Sequence, residues 1–183
     1  AAALSSSTRC SASRTGSGAE GLLVEYALAM REDGRSLDET EAQIRATLPD
    51  AHLLLIPRTL ENLVKNGRAP KLAGQLTQML NIRLAVSPEW KTGEIKAIKK
   101  GRGAKRIVAN TMADCLAFLA EHPGSSVRVL TTGAAEEQEL VNQALAGQDY
   151  VDAGTGPIGC TIATHVGVDA IAISYCPRYQ PIH

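Results

Sequence analysis

The chain has 183 residues, enough for one domain with a proper core, or for one and a part. Its 44% hydrophobic and 21% charged content is ordinary for a globular protein, and at 3% aromatics the core must be built from Leu, Ile, Val and Ala. Nineteen basic residues balance nineteen acidic ones, so net charge draws the chain to neither nucleic acid nor a membrane surface, and no run approaches the ~20 apolar residues of a membrane helix.

The chain opens Ala-Ala-Ala-Leu-Ser-Ser-Ser-Thr, with no Met and without the charged start and apolar core of a signal peptide. This reads either as a processed end or as part of a longer chain. Apolar residues from Gly21 to Met30 recur at helical spacing, and Gly34 offers a stop. Ser36-x-x-Glu39 is a capping box opening a second helix that Pro49 closes. His52–Ile56 reads as a buried strand, and Thr59–Lys65 as a short helix ended by Asn66-Gly67. Helical spacing continues over Lys71–Leu80, strand alternation over Ile82–Val86, then a turn and strand over Trp90–Ile98. After a basic loop come a long helix, Ala104–Glu121, a strand, Val127–Leu130, a helix, Ala134–Leu145, and a strand, Tyr150–Ala153. A final apolar, β-branched stretch, Ile158–Tyr175, is interrupted by Thr164-His165. Strands alternating with helices of this length predict an α/β fold with a largely parallel sheet. Gly67, Arg68 and Pro70 punctuate a domain boundary, dividing the chain into 1–66 and 67–183.

Several segments carry chemistry-bearing residues. Thr164-His165 is a polar pair presented between two apolar runs, or else His165 is an ordinary loop histidine. Ser13, Thr15 and Ser17 lie among glycines before a helix, where hydroxyls and free N–H groups form an anion seat or simply cap the helix. As a nucleophile Ser17 would need His165 as its base, and the nucleophile-elbow spacing is absent. Gly154-Thr155-Gly156-Pro157-Ile158-Gly159 matches the dinucleotide fingerprint in letters only, because the β-branched residues after it predict no helix and Pro157 removes a donor. Lys96, Lys99, Lys100, Arg102, Lys105 and Arg106 form either a solvated basic turn or a patch for an anionic partner. Arg68, between Gly67 and Pro70, braces a junction or binds an anion. Cys10, Cys115, Cys160 and Cys176 form no Cys-x-x-Cys pair, so they read as thiols of a reducing compartment rather than zinc ligands.

In order along the chain, Ser13–Val24, Thr59–Leu63 with Asn66-Gly67-Arg68, Leu80–Leu84, Gly93–Ile95 with Lys100–Gly103, and Gly156–Ile158 with Thr164–Gly167 together resemble the motifs of the DegV family. The chain departs from the family pattern at Ala12, where Asp is usual, and at Val168-Asp169, where Pro-Gly is usual. It also has no counterpart of the family's first α/β segment. The resemblance implies a bacterial, cytoplasmic protein of two α/β domains with a ligand tunnel between them, the first domain incomplete in this chain. It implies a long-chain fatty acid as ligand, no cofactor, no metal and no catalysis of its own. By that match Ser17 hydrogen-bonds the carboxylate with His165 in the head-group network, Thr164 is a further ligand-binding residue, Arg68 lies at the domain junction and Arg102 faces a fatty-acid kinase catalytic subunit. Transient membrane contact is compatible with this role; nucleic acid is not expected. The alternatives are a small-molecule hydrolase or transferase using Ser17 and His165, and a family member that binds nothing.

Overall fold

A computed structural model describes residues 13–75 and 81–181. Helix α1 spans Ser17–Glu32, starting four residues before the expected Gly21. Helix α2, Leu37–Thr47, carries the capping box: Glu39 N–H donates to Ser36 Oγ, and the Ser36 N–H donates back to the Glu39 carboxylate. Strand β1 is His52–Ile56 and helix α3 Glu61–Lys65. A 3-10 segment, Pro70–Gln75, stands at the start of the helix expected over Lys71–Leu80; its remainder, with Leu76, Met79 and Leu80, lies outside the described residues, as do Cys10 and Ala12. Then follow β2 (Ile82–Pro88), β3 (Ile95–Arg102), α4 (Gly103–Glu121), β4 (Ser125–Thr131), α5 (Ala135–Leu145), β5 (Tyr150–Pro157), α6 (Cys160–Val166) and β6 (Ile171–Cys176).

The strands form one sheet in the order β3-β2-β1-β6-β4-β5. It is mainly antiparallel, not parallel as expected; only β4 and β5 run parallel. Alternating helices and strands enforce parallel pairing only where a helix returns the chain to a neighbouring strand, and among these strands β4-α5-β5 alone does so. The expected boundary at residue 66 falls between β1 and β2, which are paired in this sheet.

Side-chain alternation loads both faces. Leu54, Ile56, Ile171, Ile173 and Tyr175 face α4 and α5, with Ile107, Met112 and Val141 opposite them. Leu53, Leu55, Ala170 and Ala172 face the other way, toward α3, α6 and the start of α1. On this second face β6 offers small residues, so α1 settles close. A methyl group on Gly18 would lie 2.6 Å from Ser174 Oγ.

Two sequence expectations need correction here. The basic stretch after Ile98, expected as a loop, continues the edge strand β3 to Arg102; the lysines of this strand are the charges that keep a sheet edge from pairing with other chains. The run after Ile158 is not one broken strand. Cys160–Val166 is helical because Ile162 and Val166, four residues apart, share an inward face, with Gly159 at its N-cap and Gly167, at φ +78°, ending it. Tertiary burial thus overrides the weak helix preference of β-branched residues.

Candidate functional site: an apolar cavity with a polar end

Three segments distant in sequence meet beside the α3–α6 face of the sheet. The segment entering α1 arrives in a constrained conformation, since Arg14 and Ser17 both have φ of 53°, the left-handed region that non-glycine residues seldom adopt. The β2–β3 hairpin closes through Gly93, whose N–H donates to Glu89 O at 2.7 Å with φ +74°. Arg14 donates to the Lys91 carbonyl of that hairpin. The α3 C-terminus ends in a left-handed Gly67: its N–H bonds Val64 O at 3.0 Å, and Arg68 N–H bonds Leu63 O at 2.8 Å. These paired bonds fix the backbone from which the Arg68 side chain leaves.

Between these segments lies a cavity of about 390 Å³, within the ~300–1,000 Å³ common for small-molecule sites. Leu53 and Leu55 of β1, Leu63 of α3, Ile95 of β3, and Ile162 and Val166 of α6 give it apolar walls, while Arg14, Thr15, Arg68, Thr161 and His165 supply its polar groups. Thr15 Oγ1, Ser17 Oγ and His165 Nδ1 are buried without a hydrogen-bond partner among the described residues. A buried polar group left unpaired costs about 1–3 kcal/mol, so three close to one apolar cavity mark a place where a polar ligand group belongs. Three larger hollows, about 440, 540 and 610 Å³, have none of Thr15, Ser17 and His165 in their walls. The largest is lined by Glu136 and by two ion pairs, Arg58 with Asp169 and Arg83 with Glu137.

The expected site residues are placed unequally. His165 and Arg68 line the cavity. Ser17 does not, but its hydroxyl is buried two residues from Thr15, which does. Thr164 is exposed and donates its hydroxyl to Thr161 O at 2.8 Å. Ser17 Oγ and His165 Nδ1 make no hydrogen bond to each other. Burial pushes the Cys115 and Cys176 thiols up to about 12, which keeps them protonated. Among the described residues no group of three or more His, Cys, Asp or Glu could hold a metal ion. Thr15 was singled out with Ser13 and Ser17 as an anion seat or helix cap, whereas the wall residues Leu53 and Leu55 of β1 were not read as part of a site. The convergence of the Gly93–Ile95 and Gly67-Arg68 motifs was the available signal. At the unusual Asp169, the backbone takes φ +54° in place of a glycine, and the carboxylate pairs with Arg58 at 3.5 Å.

Arg102 lies elsewhere. It is the N-cap residue of α4, at the far end of β3 from Ile95, and seven residues of strand span roughly 23 Å. Gly101 is required there, because a methyl group on it would sit 2.5 Å from Ile107 N. Lys96 and Lys99 are paired with Glu89 and Asp114, whereas Lys100, Arg102, Lys105 and Arg106 are exposed and make no ion pair among the described residues. The first turn of α4 holds no acidic residue, so these cations face the positive end of its dipole, which is unfavourable for the isolated fold.

Comparison with known proteins places this geometry. The model of the DegV family, described as uncharacterised proteins, matches residues 2–178, and the chain belongs to that family. It is 29% identical over 161 residues to a DegV domain-containing protein of Clostridium acetobutylicum, covering 87% of this chain and 56% of the relative. Its fold is similar to that of a DegV protein from Thermus thermophilus described as fatty-acid binding, with TM-score 0.81 and 23% identity, covering 91% of this chain and 60% of the other. It is also similar to the Fatty Acid Kinase (Fak) B3 protein of Streptococcus pneumoniae loaded with linoleic acid: TM-score 0.77, 25% identity, 90% of this chain and 58% of the other. The chain therefore spans a little over half the length of the proteins it matches.

Proposed function

We propose that this chain binds a long-chain fatty acid, with the acyl tail against Leu53, Leu55, Leu63 and Ile95 and the carboxylate at Thr15, Ser17 and His165. The observation that carries this reading is the set of unpartnered buried polar atoms at the apolar cavity. A carboxylate leaving water needs charge-assisted donors, and hydroxyls and an imidazole supply them. Each buried CH₂ contributes about 0.8 kcal/mol before association costs. In this reading the cavity is one wall of a tunnel between two α/β domains, and the protein performs no chemistry itself. It presents the carboxylate to a fatty-acid kinase, whose anionic surface meets Lys100, Arg102, Lys105 and Arg106. Fatty-acid binding by the Thermus relative and linoleate in the pneumococcal one support the assignment.

Native and denaturing mass spectrometry of protein incubated with a C16–C18 fatty acid tests it. A native mass exceeding the denatured mass by one fatty acid, lost in Ser17→Ala and His165→Phe, is the expected result. Equal masses for the unaltered protein would overturn the reading, and a covalent adduct on Ser17 would favour acyl-transfer chemistry. Arg102→Glu should abolish coupling to the kinase and leave the lipid bound.

A further inference from the structure

The turn that carries His165 is held from outside the cavity by α3. Asn66 Nδ2 donates to the Thr164 carbonyl at 3.0 Å, across 98 residues of sequence. Asn62, one helical turn earlier, has its amide against Gly167, so a methyl group there would fall 2.5 Å from Asn62 Nδ2. From the opposite side Thr132 Oγ1 donates to Gly167 O at 2.7 Å. The Thr164 carbonyl is one of the α6 C-terminal acceptors that the helix itself leaves unpaired, and Asn66 satisfies it. The same Asn66 is the C-cap of α3, one residue before the left-handed Gly67 and two before Arg68. One side-chain amide therefore ties the backbone bearing Arg68 to the backbone bearing His165, the two groups that line the cavity from α3 and α6.

We infer that Asn66 is a positioning residue that aims His165 at the ligand head group; the inference rests on the fatty-acid reading above. Asn66 is exposed and touches no part of the cavity, so it acts only through the Thr164 carbonyl. Asn66→Ala removes the donor without strain, because φ at this position is −86°. A carboxylate ligand depends on where His165 points, whereas the methyl ester of the same acid depends on the apolar walls and far less on an aimed donor.

The experiment compares Asn66→Ala with the unaltered protein in three readouts: affinity for a C16 fatty acid, affinity for its methyl ester, and the histidine ring resonances of the ligand-free protein. The expected result is a loss of about tenfold in affinity for the acid, the factor carried by one weakened charge-assisted hydrogen bond. Ester affinity should be unchanged, and the His165 ring resonances should move while those of His52 and His122 stay. Equal losses for acid and ester would reduce Asn66 to a structural role and overturn the inference. So would unmoved His165 resonances. If the unaltered protein bound neither ligand, the fatty-acid reading would fail, and the ring resonances would still report separately whether Asn66 aims His165.

Discussion

Gly21 of α1 lies directly over the guanidinium of Arg128: a methyl group on Gly21 would sit 2.6 Å from Arg128 Nη1. Arg128 donates twice to the Ala153 carbonyl, at 3.0 and 2.8 Å, and pairs with Glu25. Gly→Ala within a helix normally stabilises by about 1 kcal/mol. Here the guanidinium must shift while held by its bonds to Ala153 and Glu25, so Gly21→Ala should instead destabilise by about 1–2 kcal/mol. In an Arg128→Leu background the sign should reverse. Urea unfolding of the four members of this cycle measures the coupling.

Thr15 exposes the opposition between binding and stability. Its hydroxyl is buried without a partner among the described residues, and valine has nearly the same shape. Thr15→Val should therefore raise the stability of the ligand-free protein by about 1 kcal/mol, by removing an unsatisfied group. It should weaken fatty-acid retention at the same time. Melting curves with and without ligand read both effects, and a destabilised ligand-free variant would contradict this account.

His52 confers a pH dependence. Burial holds its imidazole below the ordinary 6.5, outweighing Asp50 and Asp114, which act to raise it. Its ring packs against Phe118 and Tyr175. Since the folded state resists the proton, the unfolded chain takes up more protons once the pH drops below 6.5. The contribution of the neutral ring is thus full above that pH and is lost as pH falls through it. The difference in urea midpoint between about pH 7.5 and pH 5 should be smaller in His52→Gln than in the unaltered protein.

Arg83 of β2 and Glu137 of α5 form an ion pair, with side chains only 17% and 8% exposed. Removing one partner strands a charge away from water, so Arg83→Ala should cost about 3–5 kcal/mol. The pair Arg83→Met with Glu137→Leu should recover most of that loss, because two matched apolar groups need no solvation. Chemical denaturation of both variants tests the expectation.

Sequence legibility followed how local the cause was. The α2 capping box, the four-residue apolar core of β1 and the left-handed Gly67 all depend on neighbouring residues, and all were readable. The sheet's antiparallel order was not, because it depends on which strands meet across long separations: Leu54 pairs with Ile173. Helix α6 was missed because its β-branched composition outweighed the spacing of Ile162 and Val166. At the cavity, His165 and Arg68 stood out as isolated polar residues among apolar or glycine-rich neighbours. Thr15 was legible only as part of an anion seat or helix cap, since nothing in its own segment indicates that it lines a cavity together with Leu55 and Ile162.

The position of β6 has a consequence for how the chain matures. It is the last described strand in sequence, yet it sits between β1 and β4 and has all six residues buried. Before it is made, β3-β2-β1 and β4-β5 are two separate ribbons, each with an unpaired inner edge. During synthesis the β1 edge waits while more than 100 residues between β1 and β6 emerge, the period in which a nascent chain is most open to pairing with the wrong partner. Strand β6 acts as a keystone: a ribosome stalled before Ile171 would release two sticky half-sheets, and a shielding chaperone would matter most in that interval.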